Sequence, residues 1–455
     1  MKIAADYGFK ADNDGFENAR ALQNAVLGGG EILIDRPGVY EIADTVMLDD
    51  GTDLRFCEGA YLKRMNNPDE NGYVFINRGA YTKTYNENIS VTGLKLICND
   101  VIASPETKNS EKVILGLIGH CSFFYVKNLK IRNFECLDLP KKNFCIHICT
   151  FENVELENLR IEGMKDAVHF GRGKNFSVRH GIFRTFDDPI ALNGHDYVNS
   201  NPELGWIENG IVEDCYDLDA DSTTGYFCRI LAGAWTDWHE GMLVQRSDTV
   251  VSEGRMYRVC MPGDGKSYRS VTRPTHKSGE KEYDGFVWAA VQEDITYTAG
   301  CRNIHFKDIH LQKKRSVAFS IHFDRNEWSR SYYPNAESPV QENITFENII
   351  SESEDLPVLL WTLSPVDRVH FKDCTLKNNF IRFGCLRAEG IVYQTTEIML
   401  EGTNFTEEIP LLVQCAPGRS IDLHVVNSKN KNFSSEIMGD VRICESDISL
   451  GKRER

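Results

Sequence analysis

Three carboxylates stand out in this chain of 455 residues. Asp166 lies in Lys165-Asp166-Ala167-Val168-His169-Phe170, and Asp187-Asp188 precede Pro189-Ile190-Ala191-Leu192. All three sit in apolar, β-rich surroundings, where an ionised acid is costly unless it is paired or used. Carboxyls held close together resist double ionisation, so at least one should keep its proton towards neutral pH. A protonated carboxyl beside an ionised one can protonate a leaving group and activate a water. Taken alone, Asp187-Asp188-Pro189 reads as a turn. What makes the acids a set is their place in a repeat: Asp166 follows Asn158 by eight residues, and Asp188 follows His180 by eight.

That repeat runs along most of the chain. Tyr125-Val126-Lys127-Asn128-Leu129 is followed by Glu155-Leu156-Glu157-Asn158-Leu159, Ser177-Val178-Arg179-His180-Gly181 and Ile211-Val212-Glu213-Asp214-Cys215. It resumes at His305-Phe306-Lys307-Asp308-Ile309, Thr345-Phe346-Glu347-Asn348-Ile349, His370-Phe371-Lys372-Asp373-Cys374 and Met399-Leu400-Glu401-Gly402. Each copy ends its apolar stretch on Asn, Asp, His or Gly, residues that tolerate a left-handed backbone or bond their own main chain. Steps of 22 to 40 residues between these corners are the spacing of solenoid rungs, the longer ones carrying loops. Short buried apolar runs suit parallel strands. The expected fold is all-β, a right-handed parallel β-helix, in preference to a β-sandwich, which does not repeat a corner residue at rung spacing. In a parallel solenoid, equal offsets on successive rungs stack about 4.8 Å apart. Asp166 and Asp188 should therefore lie side by side, with Asp187 just before the strand.

The rest of the chain divides around this repeat. Residues 1–45 read as an N-terminal cap: Asp12-Asn13-Asp14-Gly15, a helix over Phe16–Val26 with Phe16, Ala19, Leu22 and Val26 near one face, then Gly28-Gly29-Gly30 and a strand. Residues 46–240 form the first part of the solenoid, and 297–455 the second part with a C-terminal cap. Between them, residues 241–296 lose the corner pattern and read as an inserted β-module, a lid or an oligomer contact. Homo-oligomerisation is left open.

Composition narrows the partners. A net charge of −16 argues against nucleic acid, whose phosphates need a basic surface. It also weighs against a strongly polyanionic substrate, though it leaves room for a local basic pocket. The sequence shows no apolar leader after Met1-Lys2-Ile3 and no stretch long enough to span a membrane. The 14 cysteines are scattered without metal-binding spacing, so buried free thiols in a cytoplasmic protein are expected. No metal or cofactor is expected; Asp217, Asp219 and Asp221 alternate as in a calcium loop but lack its Gly and Glu.

The order Asp6-Tyr7-Gly8, helix, glycine turn, strand and Pro37-Gly38-Val39-Tyr40 resembles the start of pectate-lyase-superfamily β-helix proteins. More specifically, Asp166-Ala167-Val168-His169-Phe170 followed by Asp187-Asp188-Pro189-Ile190-Ala191-Leu192 resembles glycoside hydrolase family 28, the polygalacturonase family. That family carries Asn-Thr-Asp-Gly-Ile-Asp/His and then Gly-Asp-Asp-Cys-Ile-Ala. The resemblance implies an inverting hydrolase of an oligo- or polysaccharide. It implies that Asp187 protonates the glycosidic oxygen while Asp166 and Asp188 hold and activate water.

Two departures bear on the substrate. The family's Gly-His-Gly is missing near Asn209-Gly210, leaving His169 and His195 as nearby substitutes. Its Arg-Ile-Lys is here Arg229-Ile230-Leu231, which removes a lysine that meets the galacturonate carboxylate in polygalacturonases. A neutral sugar or another glycan is therefore expected rather than pectin. Candidate sugar contacts are His169, His195, Arg229, Trp235, Trp238, His322 and Trp361, with Trp206, Trp328, Tyr197, Arg325 and Glu327 as further candidates. Two other readings share the scaffold: a polysaccharide lyase, which needs a basic residue beside the acids, and a tailspike-like binding or structural protein.

Overall fold

The N-terminal helix, Gly15–Val26, starts on a reciprocal cap. The Asp14 carboxylate accepts from the Phe16 and Glu17 amides, and Glu17 accepts from the Asp14 amide. Ala19, Leu22, Ala25 and Val26 are buried against the first strands. Phe16, expected on that face, is exposed. Gly28, Gly29 and Gly30 all have left-handed φ and turn the chain into the Gly30–Ile34 strand. In the computed structural model the described residues are 1–103, 108–326, 329–353, 358–377, 380–384, 395–406, 411–430, 435–448 and 450–452.

Beyond the cap the chain winds as a right-handed parallel β-helix. The corners explain why. Asn128, Asn158, His180, Asp214, Asp308, Asn348, Asp373 and Gly402 all have left-handed φ, between 50° and 59°. Strand register shows two corner ladders, however, where the sequence suggests one. Asn158 stacks on Asn133, which lies 25 residues earlier, between the paired Arg132–Glu157 and Phe134–Leu159. Asn128 belongs to a second ladder with Asn88, Asn153, Asn175, Asn209, Asn303 and Asn343, each amide bonding the next at 3.0–3.2 Å. The 30-residue step read from Asn128 to Asn158 therefore mixes the two ladders. Such amide stacks satisfy side chains that share one left-handed turn on successive rungs.

Inside, one apolar cluster runs the length of the solenoid. Phe306, Phe346 and Phe371 stack face to face on successive rungs, with centroids 5.3 and 4.7 Å apart. A register slip of one residue would turn every inward side chain out, so this core locks the rungs. The described cysteines are free thiols, all buried except Cys57 and Cys444. No helix among the described residues is long and apolar enough to cross a membrane.

After Cys228–Leu231 the chain leaves the solenoid, and it rejoins at Thr298–Leu311. The intervening residues form a five-stranded sheet of Thr236–Asp237, Thr249–Ser252, Arg255–Met261, Phe286–Gln292 and Glu280–Tyr283. A second pairing joins Met242–Val244 to Tyr268–Ser270. Trp238, Met242, Val244, Val250, Tyr257, Val259, Phe286 and Trp288 make its own core.

Candidate active site

The site is built where two rungs turn in parallel. After the Asn158 corner the Phe144–Gly163 strand ends at Gly163, whose added Cβ would meet the Leu139 backbone. That turn delivers Lys165 and Asp166. One rung on, the Gly173–Thr185 strand delivers Asp187 and Asp188. The Ala167 amide donates to the Asp188 carbonyl at 3.0 Å, and Val168 pairs with Ile190, which puts Asp166 and Asp188 in register. The three carboxylates offer oxygens that all lie within 4.8 Å of one another. Gly225 crosses directly over Asp187: a Cβ there would stand 2.6 Å from its backbone, and φ is +70°. This close pass lets the Tyr226 amide donate to Asp188 at 2.7 Å.

Lys165, which the sequence reading passed over, completes the cluster. It follows its corner by seven residues, as Asp187 follows its own, so the same stacking that pairs the acids pairs these two. Its ammonium contacts Asp187 and lies 3.7 Å from Asp166. Elsewhere, Cys98, Cys136 and Asp138 are also close enough together to hold a metal.

Exposure and charge divide the acids. Asp166 and Asp188 are 3% and 1% exposed, while the Asp187 side chain is 32% exposed. Burial pushes Asp166 up to about 7, with Lys165 opposing and Asp187 adding to the rise. Burial also raises Asp188 well above the usual carboxylate range, helped by Asp187 and Asp166. At Asp187, burial acts upward, but Lys165 and Arg229 outweigh it and hold the group below that range. His169 places Nδ1 3.0 Å from Asp166 and Nε2 3.8 Å from Asp196, under the stacked ring of Phe144. Burial lowers it to about 3, so it is a neutral imidazole. Asp196 is itself held by Asn193 and by the Tyr197 amide, both at 2.7 Å.

The sign of the pH dependence follows. Asp166 titrates near 3.8 when unfolded and about 7 when folded, so between these values the folded state holds more protons. Its contribution to stability therefore falls as pH rises through that window. Asp187 acts oppositely, its stabilisation being lost as pH falls below the usual carboxylate range. Asp166→Asn should reduce the loss of stability between about pH 4 and 7, read by urea unfolding across that range.

The sequence-derived contacts sort into those near the acids and those elsewhere. Arg229 is drawn in: it pairs in register with Ala191, next to His169, and the charges of Asp196 and Asp188 raise it against burial. The ladder continues through Ser320 to Trp361. His322 lies against both Tyr226 and Trp361, at ring separations of 5.2 and 5.5 Å, extending an aromatic row from Asp188. Trp235 and Trp238 are not sugar platforms. Trp235 is buried between module and solenoid with its indole bonded to the Thr296 carbonyl, and Trp238 lies in the module core, bonded to Ser270. His195 is likewise buried, tilted against Trp235, and burial holds it well below its usual range. Trp206 is covered by the Arg302 guanidinium at 3.8 Å. Arg325 faces Asp248 at 3.5 Å. Glu327 and Trp328 fall outside the described residues.

Beside Asp187 opens a cavity of about 430 Å³ whose walls include Lys141, Lys142, Lys165, Tyr197, Asn199 and Ser200. A larger one of about 750 Å³ lies between the module and the solenoid, away from the acids. The segment 197–202 is their common wall: Tyr197, Asn199 and Ser200 line the first, and Val198, Asn201 and Pro202 the second.

No family model matches the sequence, and no curated protein matches it. Solved structures do share the fold. A Yersinia enterocolitica family 28 exopolygalacturonase is similar with a TM-score of 0.53 at 14% identity, over 98% of this chain and 79% of that one. The pre-mature gene product 12 of bacteriophage phi29 gives 0.53 at 12% identity, over 99% of this chain and 56% of that one. PfbA, a surface protein and adhesin of Streptococcus pneumoniae, gives 0.49 at 11% identity, over 99% of both chains. At these identities the first two likenesses are of fold alone.

Proposed function

We propose that the protein is a glycoside hydrolase of the polygalacturonase type, cleaving an acidic oligo- or polysaccharide with inversion. The observation that carries this reading is the in-register stack of Asp166 and Asp188 with Asp187 beside them at the mouth of a cavity. Asp187, the exposed member, protonates the glycosidic oxygen. Asp166 and Asp188 hold the water and take its proton. Carboxyls that face each other across a sugar ring in inverting enzymes stand roughly 6.5–9.5 Å apart. Here one oxygen of each acid lies within 4.8 Å of the others, closer than that range, so the inverting reading places the scissile bond along their shared wall, leaving oxygen towards Asp187 and water over the buried pair. Lys141, Lys142 and Lys165 around the cavity support an acidic sugar, where the loss of lysine at Leu231 speaks for a neutral one.

Anomeric NMR during cleavage of a uronic-acid oligosaccharide should show the inverted product first. A product of retained configuration would remove the water-activating role from Asp166 and Asp188. One observation favours a second reading. Lys165 and Arg229 beside the acids supply the basic groups that a lyase needs. An unsaturated product absorbing in the ultraviolet, in place of a hydrolysed one, would select it.

A further inference from the structure

In the motif that the site otherwise resembles, a threonine precedes the first acid; here the residue is Lys165. Its ammonium contacts Asp187, stands 3.7 Å from Asp166 and lies 5.6 Å from the centroid of the Phe144 ring. The side chain is 22% exposed and lines the cavity together with Asp187. A lysine is a flexible point charge with rotatable donors, able to change acceptors without backbone movement.

We propose that Lys165 selects acidic sugars by exchanging partners: it pairs with Asp187 in the empty site and moves to the carboxylate of a bound uronic-acid residue. Its catalytic meaning rests on the hydrolase reading above. An acid that must donate a proton is held ionised in the empty site, and the group holding it lines the cavity that a sugar would enter.

The charges facing Asp187 come from several segments. Lys165 and Asp166 lie on the preceding turn, Asp188 is its neighbour, and Arg229 lies on the next strand. Arg315 reaches the Asp187 carbonyl, and Lys313 the Phe186 carbonyl. Lys141 and Lys142 line the same cavity, but of the cations that act on Asp187 only Lys165 does so. A sugar carboxylate there withdraws Lys165 and leaves Asp187 beside two acids, where like charge and burial favour its neutral form. The proton it needs is already in the cluster, on the buried Asp166–Asp188 pair. That proton passes through Asp187 to the glycosidic oxygen as the carbon–oxygen bond breaks, in step with the arrival of the water's proton, so the buried pair is never left doubly ionised. Water forms the new bond to carbon, and its proton returns to the buried pair. The cluster ends with the protons it began with.

The test needs no turnover, so failure to find a cleavable glycan would count against the hydrolase reading alone. Carbon-13 carboxyl NMR of aspartate-labelled protein would follow Asp187 with pH, using glucuronate as probe and glucose as control. Saturating glucuronate should raise the Asp187 midpoint by about one unit or more, about tenfold in proton affinity, and glucose should not. In Lys165→Met the midpoint should already be raised in the empty protein and should not respond to glucuronate. Lys165→Arg should restore the low midpoint, which a merely structural role would not predict. Failure of glucuronate to bind, an equal shift with glucose, or an undiminished shift in Lys165→Met would each overturn the exchange.

Discussion

Asp187→Asn is expected to lower glycan cleavage by about 10²–10⁴-fold, the range associated with a positioned general acid. Asn is close in size, accepts from Lys165 as Asp does, and cannot donate an acid proton. Asp187 lies at the cavity edge and its side chain is 32% exposed, so the substitution should leave folding largely intact. The measurement is kcat/KM on a cleaved oligosaccharide beside a thermal unfolding curve of the variant. Asp188→Asn should cause a similar loss for a different reason, since it removes half of the pair that holds the water. Activity within a few-fold of wild type in both variants would end the hydrolase reading. A loss in Asp188→Asn alone would transfer the acid role to the buried carboxyl, which already holds its proton more tightly.

The largest effect on stability is expected from Arg315→Met, at about 3–5 kcal/mol, the cost of leaving a buried charge without its partner. Arg315 and Asp217 are each 1% exposed, and Nε and Nη2 bind the two carboxylate oxygens at 2.6 and 2.9 Å. Arg315 also donates to the Thr224 carbonyl at 2.9 Å. Lys313 donates to the carbonyls of Thr185, Phe186 and Thr224 at 2.6, 3.2 and 3.0 Å. Together they staple the turn that carries Asp187 and Asp188. Urea unfolding would measure the loss, and the double variant Arg315→Met with Asp217→Leu should recover most of it, because removing both charges removes the unpaired one. A loss below about 1 kcal/mol for Arg315→Met would mean that the pair is not desolvated as its burial implies.

Asp217 also shows how local reading misleads. In sequence it is the first of three alternating acids, Asp217, Asp219 and Asp221, with the look of a cation loop. In the fold it is the buried anchor of Arg315, 98 residues away. The two tryptophans near Arg229 make the same point. Trp235 and Trp238 share a segment with Arg229 in sequence, but the chain leaves the solenoid between them and the acids' sheet. Their rings then fill apolar clusters that belong to the module and its seam.

What was legible came from periodicity. A corner residue recurring at rung spacing, each one able to take left-handed φ, sufficed for the solenoid, and equal offsets from Asn158 and His180 sufficed for the stack of Asp166 on Asp188. The same rule applied to position seven would have found Lys165 over Asp187; it was hidden because lysines are commonly solvated, not because the pattern was absent. The second corner ladder could not be told from the first, since both use Asn in one kind of turn, and only strand pairing separates Asn128 from Asn133.

The sequence by itself therefore determined the rung, its corners and the clustering of three acids, because a parallel solenoid converts chain distance into stacking. The tertiary structure decided which acid faces the cavity, which two are buried, and that an ammonium stands among them. Those properties depend on long-range packing: Gly225 crossing Asp187, and Arg315 and Lys313 reaching back to the turn from another rung. Burial and nearby charge, which assign a carboxyl its proton, are set by neighbours far away in the chain.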